Sequence, residues 1–116
     1  MTAARLLDVE TTLERLAGDQ ELFGEIAQIL IMTAPVQLES IGAALGSNNM
    51  KSAYEEAHSL KGAVAAFEAP EVFSRVAAVE KLARADDAAG AAAAFETAQP
   101  LVQVLLSELA QYAPAA

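Results

Sequence analysis

The sequence predicts an all-α chain: an up-down four-helix bundle with a short extra N-terminal helix. Three observations carry this. Apolar residues recur at three- and four-residue steps along most of the chain. The breaks between these runs are a few residues long and rich in Asp, Asn, Gly and Pro, which makes successive long helices antiparallel neighbours. No segment shows the alternation, Asn-Gly turns or β-branched runs of strands. The 116 residues suit one domain, spanning 1–116, with a single modest core.

The first helix is short. Asp8 is its expected N-cap, Leu13 and Leu16 its apolar pair, and Gly18 its C′ residue. Asp19 can cap the second helix at once. There Leu22, Ile26, Ile29, Leu30 and Thr33 set the period, which resumes past Pro35 as Leu38, Ile41 and Leu45. Proline removes one backbone donor, so a kink is expected near Ile31 to Pro35 rather than a stop. Gly46 closes this helix. Asn49 is the expected cap of the third, which should run from Met50 to about Phe67. Pro70 fits the first position of the fourth helix, with Glu71 placed well for the helix dipole. Val72, Val76, Val79 and Ala83 form its stripe. Asp86 or Asp87 caps the fifth segment, which carries Phe95, Ala98, Leu101, Leu105, Leu109 and Tyr112. Pro100 makes it one kinked helix or two stacked pieces. Pro114 to Ala116 read as a frayed tail.

Composition narrows the function classes. Apolar residues make up 54% of the chain, too many for a disordered acidic segment. With no cysteine, thiolate metal sites, disulfides and cysteine nucleophiles are excluded. A net charge of −9 repels phosphate backbones and anionic membranes, so neither nucleic acid nor membrane is an expected partner. The same charge also serves solubility. Residues Met1 to Leu7 are too short and mixed for a signal peptide. The apolar run around Ile26 to Met32 falls short of the roughly 20 residues of a membrane span. A cytoplasmic chain is expected.

The single histidine is the informative residue. On a helical wheel of about 100° per residue, Ala53, Ala57, Val64 and Phe67 cluster about Leu60 as the core stripe. His58 lies roughly 160° away, on the outer face. Tyr54 sits one turn before it, Lys61 and Gly62 one turn after, and Ala65 a turn further on. An exposed mid-helix glycine costs about 1 kcal/mol relative to alanine. Access for another protein's backbone to the imidazole would offset that; tight helix packing at Gly62 is the other reading.

Free imidazole titrates near 6.5, so at neutral pH it is largely a neutral nucleophile. It can attack phosphorus, and a lysine one turn away can offset part of the phosphoryl charge. There is no Ser-His-Asp arrangement, no second histidine and no glycine-rich phosphate loop. A phosphoryl acceptor without its own nucleotide site is a carrier rather than an enzyme. An exposed histidine with no role is the bland alternative.

The segment Ala57-His58-Ser59-Leu60-Lys61-Gly62-Ala63 resembles the signature of histidine-containing phosphotransfer (HPt) domains, in which A-H-[ST]-L-K-G is typical. Val79-Glu80 looks like the family's L-E pair in the following helix. The resemblance implies a four-helix bundle with an extra N-terminal helix. It implies that His58 takes a phosphoryl group from a receiver-domain aspartate and passes it to another receiver. Lys61 would help hold that group and Gly62 would leave room for the partner. Magnesium would belong to the receiver, so no cofactor or metal is expected on this chain. The family commonly has glycine ten residues after the histidine. Here that position is Glu68, which puts Glu68, with Tyr54 and Ala65, among the residues of a partner rim.

The expected partners are receiver domains of response regulators, a hybrid histidine kinase, or both, with the chain itself a monomer. Two other functions compete: the phosphoacceptor domain of a larger histidine kinase, and a helical adaptor in which His58 is incidental. Docking should use an apolar patch, with Ala65, Ile31 and Met32 as candidates, although Ile31 and Met32 read first as core. Glu55 and Glu56 add negative charge near the site and would favour a receiver with a basic rim.

Overall fold

The computed structural model describes residues 5–114, which form five helices: α1 (Val9–Arg15), α2 (Gln20–Gly46), α3 (Met50–Val64), α4 (Pro70–Arg84) and α5 (Ala88–Leu109). No strand occurs among the described residues. The helix starts follow the local chemistry. Asp8, Asp19, Asn49 and Asp87 each accept from the backbone N–H three residues on, at Thr11, Leu22, Ser52 and Gly90. Such a cap contributes about 1 kcal/mol. Of the two aspartates before α5, Asp87 is therefore the cap, while Asp86 takes a positive φ of 58° in the turn. Pro70 opens α4, where its missing N–H goes unneeded. Leu16 is the C-cap of α1, so Ala17, with φ of 56°, takes the C′ position expected of Gly18, and Gly18 follows with φ of 77°. Ala115 and Ala116 of the expected tail, and Met1 to Ala4 of the N-terminal stretch, lie outside the described residues.

Each of α2 to α5 packs on the next, and α5 returns to pack on α2. The main core has Phe23, Leu30, Ile41, Leu60, Val76, Leu105 and Leu109 among its most buried members, and a smaller second cluster is formed by Ala44, Met50, Ala53, Ala83 and Ala91, where a single core was expected. The stripes expected on α3 and α4 are all buried.

As expected, Pro35 does not end its helix, and α2 runs past it to Gly46; of the two readings of the fifth segment, the single helix holds past Pro100. Two expectations are corrected. First, α3 ends at Val64 rather than near Phe67. Ala66 and Phe67 donate to Ala63 and Val64, three residues back, so the chain tightens out of the α-helix. Second, α2 is rotated from the face its large apolar residues suggest. Phe23, Gly24, Ala27, Leu30, Ala34, Leu38, Ile41 and Ala44 face inward. Ile29 and Met32 are 60% and 66% exposed, Leu22 and Thr33 are exposed too, and Ile31 is half-buried. The small residues take the inner face because they let neighbouring backbones come close: a Cβ on Gly24 would sit 2.7 Å from the Tyr112 carbonyl oxygen. On α5, likewise, Val102 is buried while Phe95 and Leu101 are half-buried; Tyr112, also half-buried, lies past the end of the helix.

By length and composition alone α2 could cross a membrane, with a mean hydropathy of 1.4 over an 18-residue window. This corrects the expectation that its apolar run falls well short. In the folded chain those apolar residues divide between an inner face against α3 and α5 and an outer face in solvent.

The segment around α1 is stitched to both ends of the fold. Thr12, fully buried, donates to the Asp8 carbonyl at 2.7 Å and accepts from the Glu68 N–H at 2.9 Å. The Asp8 N–H donates to the Glu68 carbonyl at 2.7 Å. Upstream, the Glu108 carboxylate of α5 accepts from the N–H groups of Leu6 and Leu7. Every backbone group in these ties finds a partner, which is what allows the segment to lie against the bundle.

Candidate functional site

The site is assembled where α3 lies against α4. The buried stripe of α3 turns His58 outward, with its side chain 65% exposed. Gly62, one turn on, is exposed, and a Cβ built there meets nothing within 4 Å. The packing reading of this glycine therefore loses its ground, and the open surface beside His58 remains.

Across from His58, α4 supplies a residue that the sequence reading gave no chemical role. Glu80 is buried, yet it carries a carboxylate. Its Oε2 lies 2.9 Å from His58 Nδ1 and accepts from Arg84 at 3.0 Å. Its Oε1 pairs with Lys61 Nζ at 2.6 Å. Burial pushes the Glu80 carboxyl up, but hydrogen bonds from Lys61, Arg84 and His58, with the charge of Lys61, outweigh it and hold the group at about 2. Glu80 is thus ionised at neutral pH and can only accept. The ring hydrogen must then sit on Nδ1, which leaves the lone pair of the neutral imidazole on Nε2.

The sequence did hold a signal for Glu80. On α4 it falls about 40° from Val76, at the edge of the buried valine stripe. A carboxylate there has to find cations, and Arg84 is four residues on. What the sequence could not give is the register that sets Glu80 opposite both His58 and Lys61.

Lys61 lies beside His58 as expected, but its side chain is three-quarters buried and its ammonium pairs with Glu80. Arg84 is a second cation at the site and was not foreseen. Its guanidinium stacks 4.5 Å above the ring of Tyr54 while bonding Glu80, so Tyr54 shelves a cation at the edge of the site.

The other two rim candidates lie farther along the chain, just past the end of α3. Six residues of helix between His58 and Val64 already amount to about 9 Å, and Ala65 and Glu68 lie beyond them. Both are engaged by Arg15 of α1, which donates to the Ala65 carbonyl at 2.8 Å and pairs with the Glu68 carboxylate at 3.2 Å. With the glycine of the resembling pattern replaced, Glu68 joins a clasp between α1 and the end of α3.

Among the described residues no cluster of three or more His, Cys, Asp or Glu side chains could hold a metal ion. A family model described as the Hpt domain matches residues 25–113. That range takes in α3, α4 and α5 whole and leaves out α1. No curated protein and no solved structure matches the chain. Hpt domains are helical phosphocarrier modules that act with the receiver domains of two-component signalling systems. The family match covers more than three-quarters of a chain whose outward histidine is braced by an ionised carboxylate, and the protein belongs to the Hpt domain family.

Proposed function

We propose that the chain is a phosphorelay intermediate in which His58 Nε2 accepts a phosphoryl group from a receiver-domain aspartate and donates it to a second receiver. The observation that carries this reading is the 2.9 Å contact between His58 Nδ1 and a Glu80 carboxylate that stays ionised. In the accepting step the lone pair on Nε2 forms the N–P bond as the P–O bond to the aspartyl oxygen breaks, and the aspartate leaves as a carboxylate. The ring becomes a cation with its hydrogen still on Nδ1, and Glu80 faces the new charge. In the donating step the N–P bond breaks toward neutral imidazole, a far better leaving group than imidazolate. Glu80 keeps the Nδ1 hydrogen in place for both directions, and is a positioning residue.

Lys61 and Arg84 offset the incoming negative charge. Arg84 has donors left over after its bond to Glu80, since guanidinium carries five. Gly62 leaves the approach open. The chain needs no nucleotide, cofactor or metal of its own for this chemistry; the receiver supplies the aspartate and its magnesium. It works as one domain over residues 1–116 and as a monomer: an up-down four-helix bundle of α2 to α5, with α1 as the extra helix tied on through Thr12, Arg15 and Leu7. The return of α5 onto α2 supports that topology.

Incubation with a phosphorylated receiver should place acid-labile, alkali-stable phosphate on the wild-type chain and none on His58→Gln. Equal labelling of the variant would sink the assignment.

A further inference from the structure

Two pairs of residues, each spaced by one helical turn, face each other at the site. On α3, Tyr54 precedes His58 by four residues; on α4, Arg84 follows Glu80 by four. Where the helices meet, His58 contacts Glu80, and the Arg84 guanidinium lies over Tyr54, its Cζ 4.5 Å from the ring centre. The tyrosine is itself held. Its half-buried ring packs against the alanine-rich cluster of Ala44, Met50, Ala53, Ala83 and Ala91.

The two cations of the site are held differently. Lys61 has three-quarters of its side chain buried and pairs with Oε1 of Glu80. The Arg84 side chain is 57% exposed and bonds Oε2, the oxygen that also meets the imidazole. A long side chain so exposed has many rotamers to lose, and fixing it costs conformational entropy. The face of Tyr54 removes much of that freedom in advance, because a guanidinium lies flat on an aromatic ring and is attracted to its π-face. Tyr54 thus fixes the one cation of the site that burial leaves loose.

The guanidinium sits two hydrogen bonds from the imidazole: 3.0 Å from Arg84 to Oε2, and 2.9 Å from Oε2 to Nδ1. On the phosphocarrier reading, the N–P bond forms at Nε2 as the aspartyl P–O bond breaks. The imidazole becomes a cation and keeps its Nδ1 hydrogen on Oε2. The remaining Arg84 donors are then close to the phosphoryl oxygens, and a bond between two charged groups is among the stronger ones available. An Arg84 already ordered by Tyr54 makes that bond without first giving up its freedom.

We infer that Tyr54 is a positioning residue of the phosphoryl site: its ring holds the Arg84 guanidinium ready for the phosphoryl oxygens on His58, and so shifts phosphoryl exchange with a receiver toward the phosphorylated chain. The shift in exchange rests on the phosphocarrier reading; the hold of Tyr54 on Arg84 does not.

The full chain is brought to equilibrium with a receiver that labels His58, and the ratio of free phosphorylated chain to free phosphorylated receiver is measured. Docking affinity cancels from this ratio, so a tyrosine that only touches the receiver leaves it unmoved. Tyr54→Leu keeps an apolar side chain against the alanine cluster but has no π-face. It should lower the ratio about three- to tenfold, the span of a cation–π contact at a partly exposed site. Tyr54→Phe restores the face and should stay within about twofold of wild type. Arg84→Met should lower the ratio as well, and Tyr54→Leu should add nothing to it in that background. An unchanged ratio in Tyr54→Leu, a Phe variant as impaired as the Leu variant, or a further fall in the double variant would each overturn the inference. On the unphosphorylated chain, ¹⁵N-edited spectra should show the Arg84 guanidinium protons moved upfield by the aromatic ring in wild type and Tyr54→Phe, and not in Tyr54→Leu. Identical spectra in wild type and Tyr54→Leu remove the hold itself. If no receiver labels the wild-type chain, the phosphocarrier reading fails, and these spectra still decide whether Tyr54 holds Arg84.

Discussion

Glu80 accepts three donors on two oxygens: Lys61 on one, His58 and Arg84 on the other. The arrangement ties the ring orientation of His58 to the charge of a single buried carboxylate. Glu80→Gln replaces an ionised acceptor with an amide that can bond Nδ1 through its oxygen but cannot offset the cationic ring. Transfer rates in both directions should fall by about tenfold or more, the effect expected of a group that orients and compensates a reacting imidazole, while the helical circular dichroism spectrum is retained. The variant also has a pH signature. A carboxyl held at about 2 against an ordinary 4.5 contributes stability that is fully present above 4.5 and is lost as pH falls toward 2. The stability difference between wild type and Glu80→Gln, followed by chemical denaturation, should therefore shrink below pH 4.5. A constant difference down to pH 2 would contradict the depressed value. His58, its exposure and its Lys61 and Gly62 neighbours were legible in the sequence, because three apolar turns fix which way α3 faces. The bracing of His58 was not, because a contact between residues on two helices depends on how the helices slide past one another.

At the scale of the element, α3 carries a glycine that its neighbours do not need. With open space where a Cβ would go, Gly62→Ala should raise the stability of the chain by up to about 1 kcal/mol, the propensity difference of an exposed helical position. If the glycine serves the partner's approach, the same variant raises KM for a receiver. A higher melting temperature with an unchanged KM would remove partner access as the reason for this glycine. The helix starts were readable because each is a local event: an Asp or Asn side chain and an N–H three residues on. The face of α2 was not. Periodicity weighs large apolar residues, and on α2 half of the buried face is Gly24, Ala27, Ala34 and Ala44, beside Phe23, Leu30, Leu38 and Ile41, while Ile29, Met32 and Val36 look outward. An alanine-rich core hides its own inner face from that reading.

Over the whole molecule, the tie between α1 and the corner after α3 crosses a large sequence separation, and within it one hydroxyl accepts the Glu68 N–H. Thr12→Val keeps the side-chain shape but leaves the Glu68 N–H without its acceptor. The loss should be about 1–3 kcal/mol, the cost of an unsatisfied buried donor, read as a lower denaturation midpoint. A neutral result would mean that the segment reorganises to satisfy Glu68 another way. No sequence rule would single out Thr12, a polar residue in a short helix; its burial follows from the way α1 lies across the corner.

The Glu108 clasp on Leu6 and Leu7, with Arg5 donating to the Tyr112 hydroxyl at 2.9 Å, brings the start and finish of the described chain side by side. Neighbouring ends make the module topologically portable. A few linking residues between Arg5 and Tyr112, with new ends opened in the turn of Ser47, Asn48 and Asn49, would give a circular permutant that keeps every helix pairing. For the same reason the module could be inserted into a surface loop of another protein without prying the bundle apart.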